Sequence, residues 1–231
     1  MQEKRIVTAH GVYIFGLSQV IDGNMILADK ASSGRLALFQ KKQNFPKKLA
    51  RADLIHSVKV LSVSRSGLLV NCDGLMTDKA GLTLALTAAD CAPIFIYDNR
   101  LARIALLHAG WRGVADGILK NGLKSLLNKG SRLADLHLFI GPHLRVCHFE
   151  IGSDLVEVFK DYPQAIKRQQ NKFYLNLSLV LKKQALQAGL SSEQIKISRE
   201  CTYCSVKKYY SYRRQGEPLR TMIAYAYYES A

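Results

Sequence analysis

The sequence predicts an α/β fold: a single mixed domain over residues 1–231, with mixed β-sheets flanked by helices. Three observations carry this. Apolar runs of strand length recur at 82–87, 93–97, 103–107 and 136–140. Over 114–127 the apolar period changes to that of a helix. No low-complexity linker and no internal repeat divides the chain. With 231 residues, 48% of them hydrophobic, the chain is long enough to bury a core.

The elements follow in order. Residues 5–40 read as short strands with turns at Gly11, Gly16 and Asp22-Gly23-Asn24, and with apolar pieces at 12–15 and 25–27. Residues 40–53 are polar and basic, contain Pro46, and read as a loop or short helix. Residues 55–63 and 67–70 read as two strands joined through Ser64-Arg65-Ser66-Gly67. The run 82–87 lacks strict alternation, the mark of a strand buried on both faces. A second strand at 93–97 turns through Asp98-Asn99-Arg100 into a third at 103–107, which ends at His108. Val114, Ile118, Leu119, Leu123 and Leu126, with Ala115 and Leu127, form the helical stripe, closed near Gly130. Residues 136–140 are a strand stopped by Gly141-Pro142. Helices are expected at 154–162, halted before Pro163, and at 177–188, capped by Asn176 and ended by Gly189. Residues 195–197 and 222–225 complete the strands.

Composition narrows the function classes. No apolar run reaches the roughly 18 residues of a membrane span. The start, Met1-Gln-Glu-Lys-Arg-Ile-Val7, has no apolar segment after its basic residues, so a cytoplasmic protein without a membrane partner is expected. Five cysteines, an odd number, argue for reduced thiols rather than a disulfide framework. The net charge of +15 favours anionic partners. Its basic residues are scattered as pairs, such as Lys41-Lys42 and Lys207-Lys208, without a basic tail. That argues against a dedicated nucleic-acid function.

Cys91 and His108 are the leading candidates for chemistry. They stand in Thr87-Ala-Ala-Asp-Cys-Ala-Pro93 and Leu107-His-Ala-Gly-Trp-Arg-Gly113, at strand ends, where a rigid frame presents side chains to a turn. Thiolate and imidazole together suit zinc. A buried free cysteine and a satisfied core histidine are the plainer alternatives. Asp90 suits either an acceptor for a neighbouring imidazole or a turn cap. His56, in Leu54-Ile-His-Ser57, is the best third ligand, although sequence spacing does not connect it to Cys91. Arg112 adds a planar cationic fork at a helix entry, suited to phosphate. His143 and His148 follow a strand as pocket candidates, each with a packing alternative. Tyr209-Tyr-Ser-Tyr-Arg-Arg214 offers rings and arginines, Arg213 among them, or an ordinary tyrosine-rich strand. Cys201-Thr-Tyr-Cys204 is a CxxC without a second pair, since Cys72 and Cys147 do not form one by spacing; packing use is expected of it.

Six strings occur in order: Thr87–Pro93, His108–Gly113, Ile140-Gly-Pro142, Cys147-His-Phe-Glu-Ile-Gly152, Cys201–Cys204 and Tyr210-Ser-Tyr-Arg-Arg214. Together they resemble the laccase-domain family, long labelled multicopper polyphenol oxidases, over roughly residues 50–225. The resemblance implies a purine nucleoside enzyme, a transferase and hydrolase. Such enzymes cleave adenosine, inosine and methylthioadenosine with phosphate and deaminate adenosine. It places the metal-binding and catalytic positions on His56, Cys91 and His108. Purine nucleoside and phosphate are then the expected partners, with Arg112, Arg213 and His143 as substrate or phosphate residues. Zinc is the expected metal, with copper as the alternative. Six histidines are too few for a multicopper cluster, so one three-ligand site is the economical reading. The chain departs from the family at Leu54 and Ser57, which flank His56 where Gln and Gly are usual. The N-terminal Thr-Arg…Gly-Gly-x-Ser, Ser-Leu-Asn and Asn-Arg elements are also missing from residues 5–50. Two other readings stand beside this one: a metal-independent thiol hydrolase using Cys91 with His108, and a non-catalytic anion-binding descendant of the family.

Overall fold

Both faces of the central strands are buried, which is why their sequences do not alternate. The computed structural model describes residues 3–26 and 30–230. One six-stranded sheet runs in the order β1 (Lys4–Thr8), β2 (Gly11–Leu17), β15 (Met222–Ser230), β7 (Thr83–Ala88), β3 (Leu49–Ala52), β5 (Gly67–Leu69). A second runs β14 (Ile195–Ile197), β10 (Leu136–Ile140), β8 (Ala92–Asp98), β9 (Ile104–Ala109), β6 (Gly74–Thr77), β4 (Val60–Ser62). Each sheet mixes parallel and antiparallel pairs. A small antiparallel sheet of β11 (Glu150–Ile151), β13 (Lys172–Leu175) and β12 (Ile166–Gln169) lies beside them.

The period of two sorts side chains into three layers of core. Phe95 of β8, Ile104 and Leu106 of β9, Leu84 and Leu86 of β7, and Met222 and Ala224 of β15 share the core between the two large sheets. Phe15 stacks there on Phe95 at 4.9 Å and meets Phe139 at 5.7 Å, contacts each worth about 1 kcal/mol beyond area burial. The alternate residues of β8 and β9, Ile94, Ile96, Ala105 and Leu107, face outward onto helices. These helices are α2 (Trp111–Asp116), α3 (Ile118–Leu127) and α5 (Leu177–Gln187). On the far side, Ala85, Ile223 and Tyr225 pack with Leu36 and Phe39 of α1 (Lys30–Gln43). The result is a single mixed α/β domain with helices outside two packed sheets. Among the described residues, no helix is long and apolar enough to cross a membrane.

Several expectations need correction. The stripe over 114–127 is not one helix. Gly117 adopts φ 92°, a left-handed conformation that suits glycine, and it ends α2 and starts α3. The buried stripe still holds at Val114, Ile118, Leu119, Leu123 and Leu126, while Ala115 and Leu127 are exposed. Residues 25–27 are not a strand: Met25 and Ile26 are irregular, and Leu27 lies outside the described residues, as do Met1 and Gln2. The helix α1 was not anticipated, because polar residues between its few core contacts hide the helical period. The two strands expected over 55–63 and 67–70 are shorter, β4 and β5, and they belong to different sheets. The expected helix at 154–162 is shorter, α4 (Ser153–Val158). Residues 209–214 are not a strand but lead into the short helix α6 (Tyr212–Gln215). Asn176 does cap α5, its side-chain oxygen accepting from Leu179 N at 3.2 Å.

Candidate metal centre and cavity

Antiparallel register explains why two motifs seventeen residues apart meet. In the β8–β9 pair, Pro93 faces His108 and Ala92 faces Ala109. The turn residue Cys91 therefore sits beside the end of β9. His108 has the same parity as Ile104 and Leu106, so its ring points into the gap between the two sheets at the strand's end. His56 arrives from the connection between β3 and β4, which crosses from one sheet to the other. The ligand atoms of His56, Cys91 and His108 lie within 4.8 Å of one another. The two imidazole rings cross edge to face, with centroids 5.0 Å apart.

Asp73 assembles this group, and sequence reasoning missed it. It is fully buried immediately before β6, whose Gly74 pairs with Leu107 of β9. One carboxylate oxygen accepts from His56 N at 3.0 Å and contacts His108 Nδ1 at 2.9 Å. The other accepts from Ile55 N at 3.3 Å, Ser57 N at 2.6 Å and Ser57 Oγ at 2.9 Å. Those bonds hold His56 at φ 59°, a left-handed conformation that costs a residue with a Cβ about 1–3 kcal/mol. Nδ1 of His108 is thus fixed by Asp73, leaving Nε2 for the cysteine side. The only hint in the sequence is a lone acid, Asn71-Cys72-Asp73-Gly74, between apolar segments.

Electrostatics couple the three groups. Burial works against ionisation of Asp73, but hydrogen bonds from His108 and Ser57 outweigh it and hold the carboxyl down at about 2. Burial opposes a thiolate at Cys91, yet the His108 charge and hydrogen bonds from both imidazoles bring its pKa down. Burial likewise opposes a charged His108, and the Cys91 and Asp73 charges overcome it. The pair therefore favours thiolate and imidazolium. A soft or borderline cation suits such a set, since one thiolate and two imidazoles are ordinary zinc donors. Gly110 leaves the room: a Cβ there would lie 3.0 Å from Cys91 Sγ and 3.1 Å from His56 Cδ2.

The triad opens onto a cavity of about 820 Å³. Arg51, Arg112 and Arg213 line it, together with Trp111, Phe149 and Tyr212. Such a volume lies in the range of small-molecule pockets. The Arg112 guanidinium stacks over the Trp111 ring at 4.3 Å. Arg213 is held by its backbone N–H, which donates to Asp90 at 2.7 Å, and by Nη1 bonds to the carbonyls of His148 and Glu150. Asp90, at φ 84°, also accepts from Thr202 and Ser211. It serves as a loop anchor, and the acceptor that orients an imidazole is Asp73.

The remaining sequence candidates lie elsewhere. His143 is fully buried with Nδ1 2.8 Å from the Gly141 carbonyl, and it does not line the cavity. His148 also lies outside the lining. It joins Cys147, Cys201 and Cys204 in a second compact group. The expectation that Cys201 and Cys204 lack partners is therefore wrong. Parallel pairing of β10 with β14 sets Ile140 beside Ile197, and the chains stay together beyond the strand ends, bridging His143 to Cys201. Sequence spacing cannot register a contact made between two strand ends more than fifty residues apart.

A purine nucleoside phosphorylase of Bacteroides thetaiotaomicron is 29% identical over 206 residues, covering 82% of this chain and 76% of that one. Adenosine deaminase RL5, from an unknown prokaryotic organism, is 28% identical over 150 residues, 62% of this chain and 57% of that one. The crystal structure of YlmD from Geobacillus stearothermophilus shares the fold, with a TM-score of 0.89 at 22% identity, over 99% of this chain and 100% of that one. The family model described as multi-copper polyphenol oxidoreductase laccase matches residues 29–228. By that match the chain belongs to the multi-copper polyphenol oxidoreductase laccase family.

Proposed function

We propose that this chain is a metal-dependent purine nucleoside enzyme that catalyses phosphorolysis of adenosine, inosine or methylthioadenosine and deamination of adenosine. The observation that carries the reading is one thiol and two imidazoles converging on the wall of an arginine-lined cavity. The names of the relatives, phosphorylases and a deaminase, supply the substrate class. His56, Cys91 and His108 would hold zinc, with copper as the alternative, and the bound ion supplies Lewis acidity.

The chain's own residues do the rest. Arg112 and Arg213 bind phosphate as it attacks the ribose C1′, giving free base and ribose 1-phosphate. Trp111, Phe149 and Tyr212 offer flat faces for the purine. In deamination, water replaces the amino group at C6 and ammonia leaves. Asp73 fixes the His108 tautomer throughout. His143 acts from behind the wall, as a positioning residue just beyond the end of β10.

The deciding experiment is a panel of purine nucleosides with and without phosphate, separated by chromatography. Free base released only with phosphate is the expected result, along with inosine from adenosine. Neither product would overturn the proposal in favour of an anion-binding protein, for which the net charge of +15 predicts salt-sensitive binding. A metal-independent thiol hydrolase is favoured by one observation, the line Asp73–His108–Cys91, which resembles an activated nucleophile. Activity that survives a chelator but is lost when Cys91 is alkylated would establish that reading.

Two substitutions sharpen the test. Gly110→Ala drives a methyl group against Cys91 Sγ and His56, so zinc at the triad is expected to bind at least about tenfold more weakly. A competition titration reads this, and an unchanged affinity would exclude the triad as the metal site. Arg112→Ala is expected to lower kcat/KM for phosphate by about tenfold or more, the loss of one charge-assisted contact. Deamination, which uses no phosphate, should change far less in the same variant.

A further inference from the structure

We infer that Cys147, His148, Cys201 and Cys204 form a second, structural zinc site that ties the loop after β10 to the segment after β14. The four ligand atoms lie within 4.8 Å of one another. Cys147 Sγ stands 3.6 Å from Cys201 Sγ and 3.7 Å from Cys204 Sγ, and Cys204 Sγ is 3.3 Å from His148 Nδ1. Sulfurs bound tetrahedrally to zinc at about 2.3 Å are about 3.8 Å apart, so the spacing fits a shared ion. It does not fit a disulfide, whose sulfurs are about 2.05 Å apart. A disulfide also uses two sulfurs, whereas here Cys147 Sγ faces two sulfurs and Cys204 Sγ faces an imidazole as well.

The surroundings match a built site. The His148 ring is stacked on Tyr203, with centroids 3.9 Å apart and planes 15° apart, which fixes the direction of its nitrogen. Tyr203 sits inside the CxxC whose cysteines supply two ligands. The backbone N–H of Arg145 points at Cys201 Sγ from 3.5 Å, the kind of outer contact that orients a thiolate ligand. Cys147 and Cys204 are exposed while Cys201 is buried, so an ion has an entry path and a closed inner side. Three thiolates, a neutral imidazole and a divalent ion carry a net charge of −1. Arg213 and Arg214 reach the ligand-bearing backbone at the His148, Thr202 and Tyr203 carbonyls, placing positive charge alongside.

Four protein ligands close the coordination sphere, unlike the three at the cavity, so this ion would be structural. Its place explains what it holds. The segment after Cys201 carries Thr202 and Ser211, both bonded to Asp90, and then Arg213 on the cavity wall. The loop carrying Cys147 continues into Phe149, which also lines the cavity. On binding, the three thiols give up their protons to solvent.

The test uses the full chain, stripped with a chelator and titrated with zinc and with cobalt(II), with bound metal measured by mass spectrometry. Cys91→Ala removes the only thiolate of the cavity donor set, so thiolate-bound metal in this variant reports the second site whether or not the proposed activity holds. It is expected to keep one tight equivalent, with the intense sulfur-to-cobalt absorption of several thiolates. Adding Cys204→Ser should remove that equivalent or sharply weaken that absorption. A Cys91→Ala chain that binds no metal, or one whose cobalt spectrum Cys204→Ser leaves unchanged, overturns the proposal. Should the double variant fail to fold, the wild-type chain still decides. With zinc, exposed Cys147 and Cys204 should resist alkylation, and they should react once chelator is added. Equal reaction in both states, or a mass two hydrogens low from a disulfide, refutes the site.

Discussion

His108→Ala is expected to abolish nucleoside turnover, by about a thousandfold or more, and to remove one metal equivalent while the fold persists. The reason is its place in the chain of contacts. Its ring lies between the Asp73 carboxylate and the Cys91 sulfur, so its loss removes a ligand and the cation that stabilises the thiolate. Asp73 would keep its bonds from the 55–57 backbone, so the surrounding loop has a reason to hold. Turnover by chromatography, metal by mass spectrometry and circular dichroism make the comparison. Retention of both activity and metal would remove His108 from the site.

Asp73→Ala is expected to cost more stability than any change at the ligands themselves. The carboxylate gathers backbone N–H groups of Ile55, His56 and Ser57, the Ser57 hydroxyl and the His108 ring. Without it the buried His108 ring and the part-buried donors of residues 55–57 lose their acceptor, and the left-handed His56 loses its restraint. A loss of about 3–5 kcal/mol follows, near 10 °C in Tm for a chain of this size. Zinc at the triad should weaken by about 10–100-fold. Asp73→Asn separates the two effects. Its single oxygen satisfies one side of the network, and its amide group then confronts N–H donors on the other. A Tm within 2 °C or so of wild type for both variants would show that the network contributes little.

What was legible in the sequence is local. Apolar runs located β7 to β10 because strands of five to seven residues buried on both faces leave uninterrupted hydrophobic text. The same locality placed α5 between Asn176 and Gly189. A hairpin is nearly local too, so the approach of Cys91 to His108 follows from two strands and the turn at 98–100. The helix α1 escaped because its core contacts, Leu36 and Phe39, are too few to set a period against its polar residues.

Three features belong to tertiary structure alone. His56 reaches the cavity because the 53–59 connection crosses between sheets. Asp73 looks like any acid in a turn until β6 pairs with β9 and buries it against His108. Cys147 and His148 meet Cys201 and Cys204 because β10 and β14 run parallel, which carries the chain beyond both strand ends to the same place. The sequence by itself determined which residues carry donor chemistry, since thiol, imidazole and carboxylate are properties of single residues. Which of them share an ion is decided by contacts across tens of residues, and those depend on sheet order, which no local period encodes.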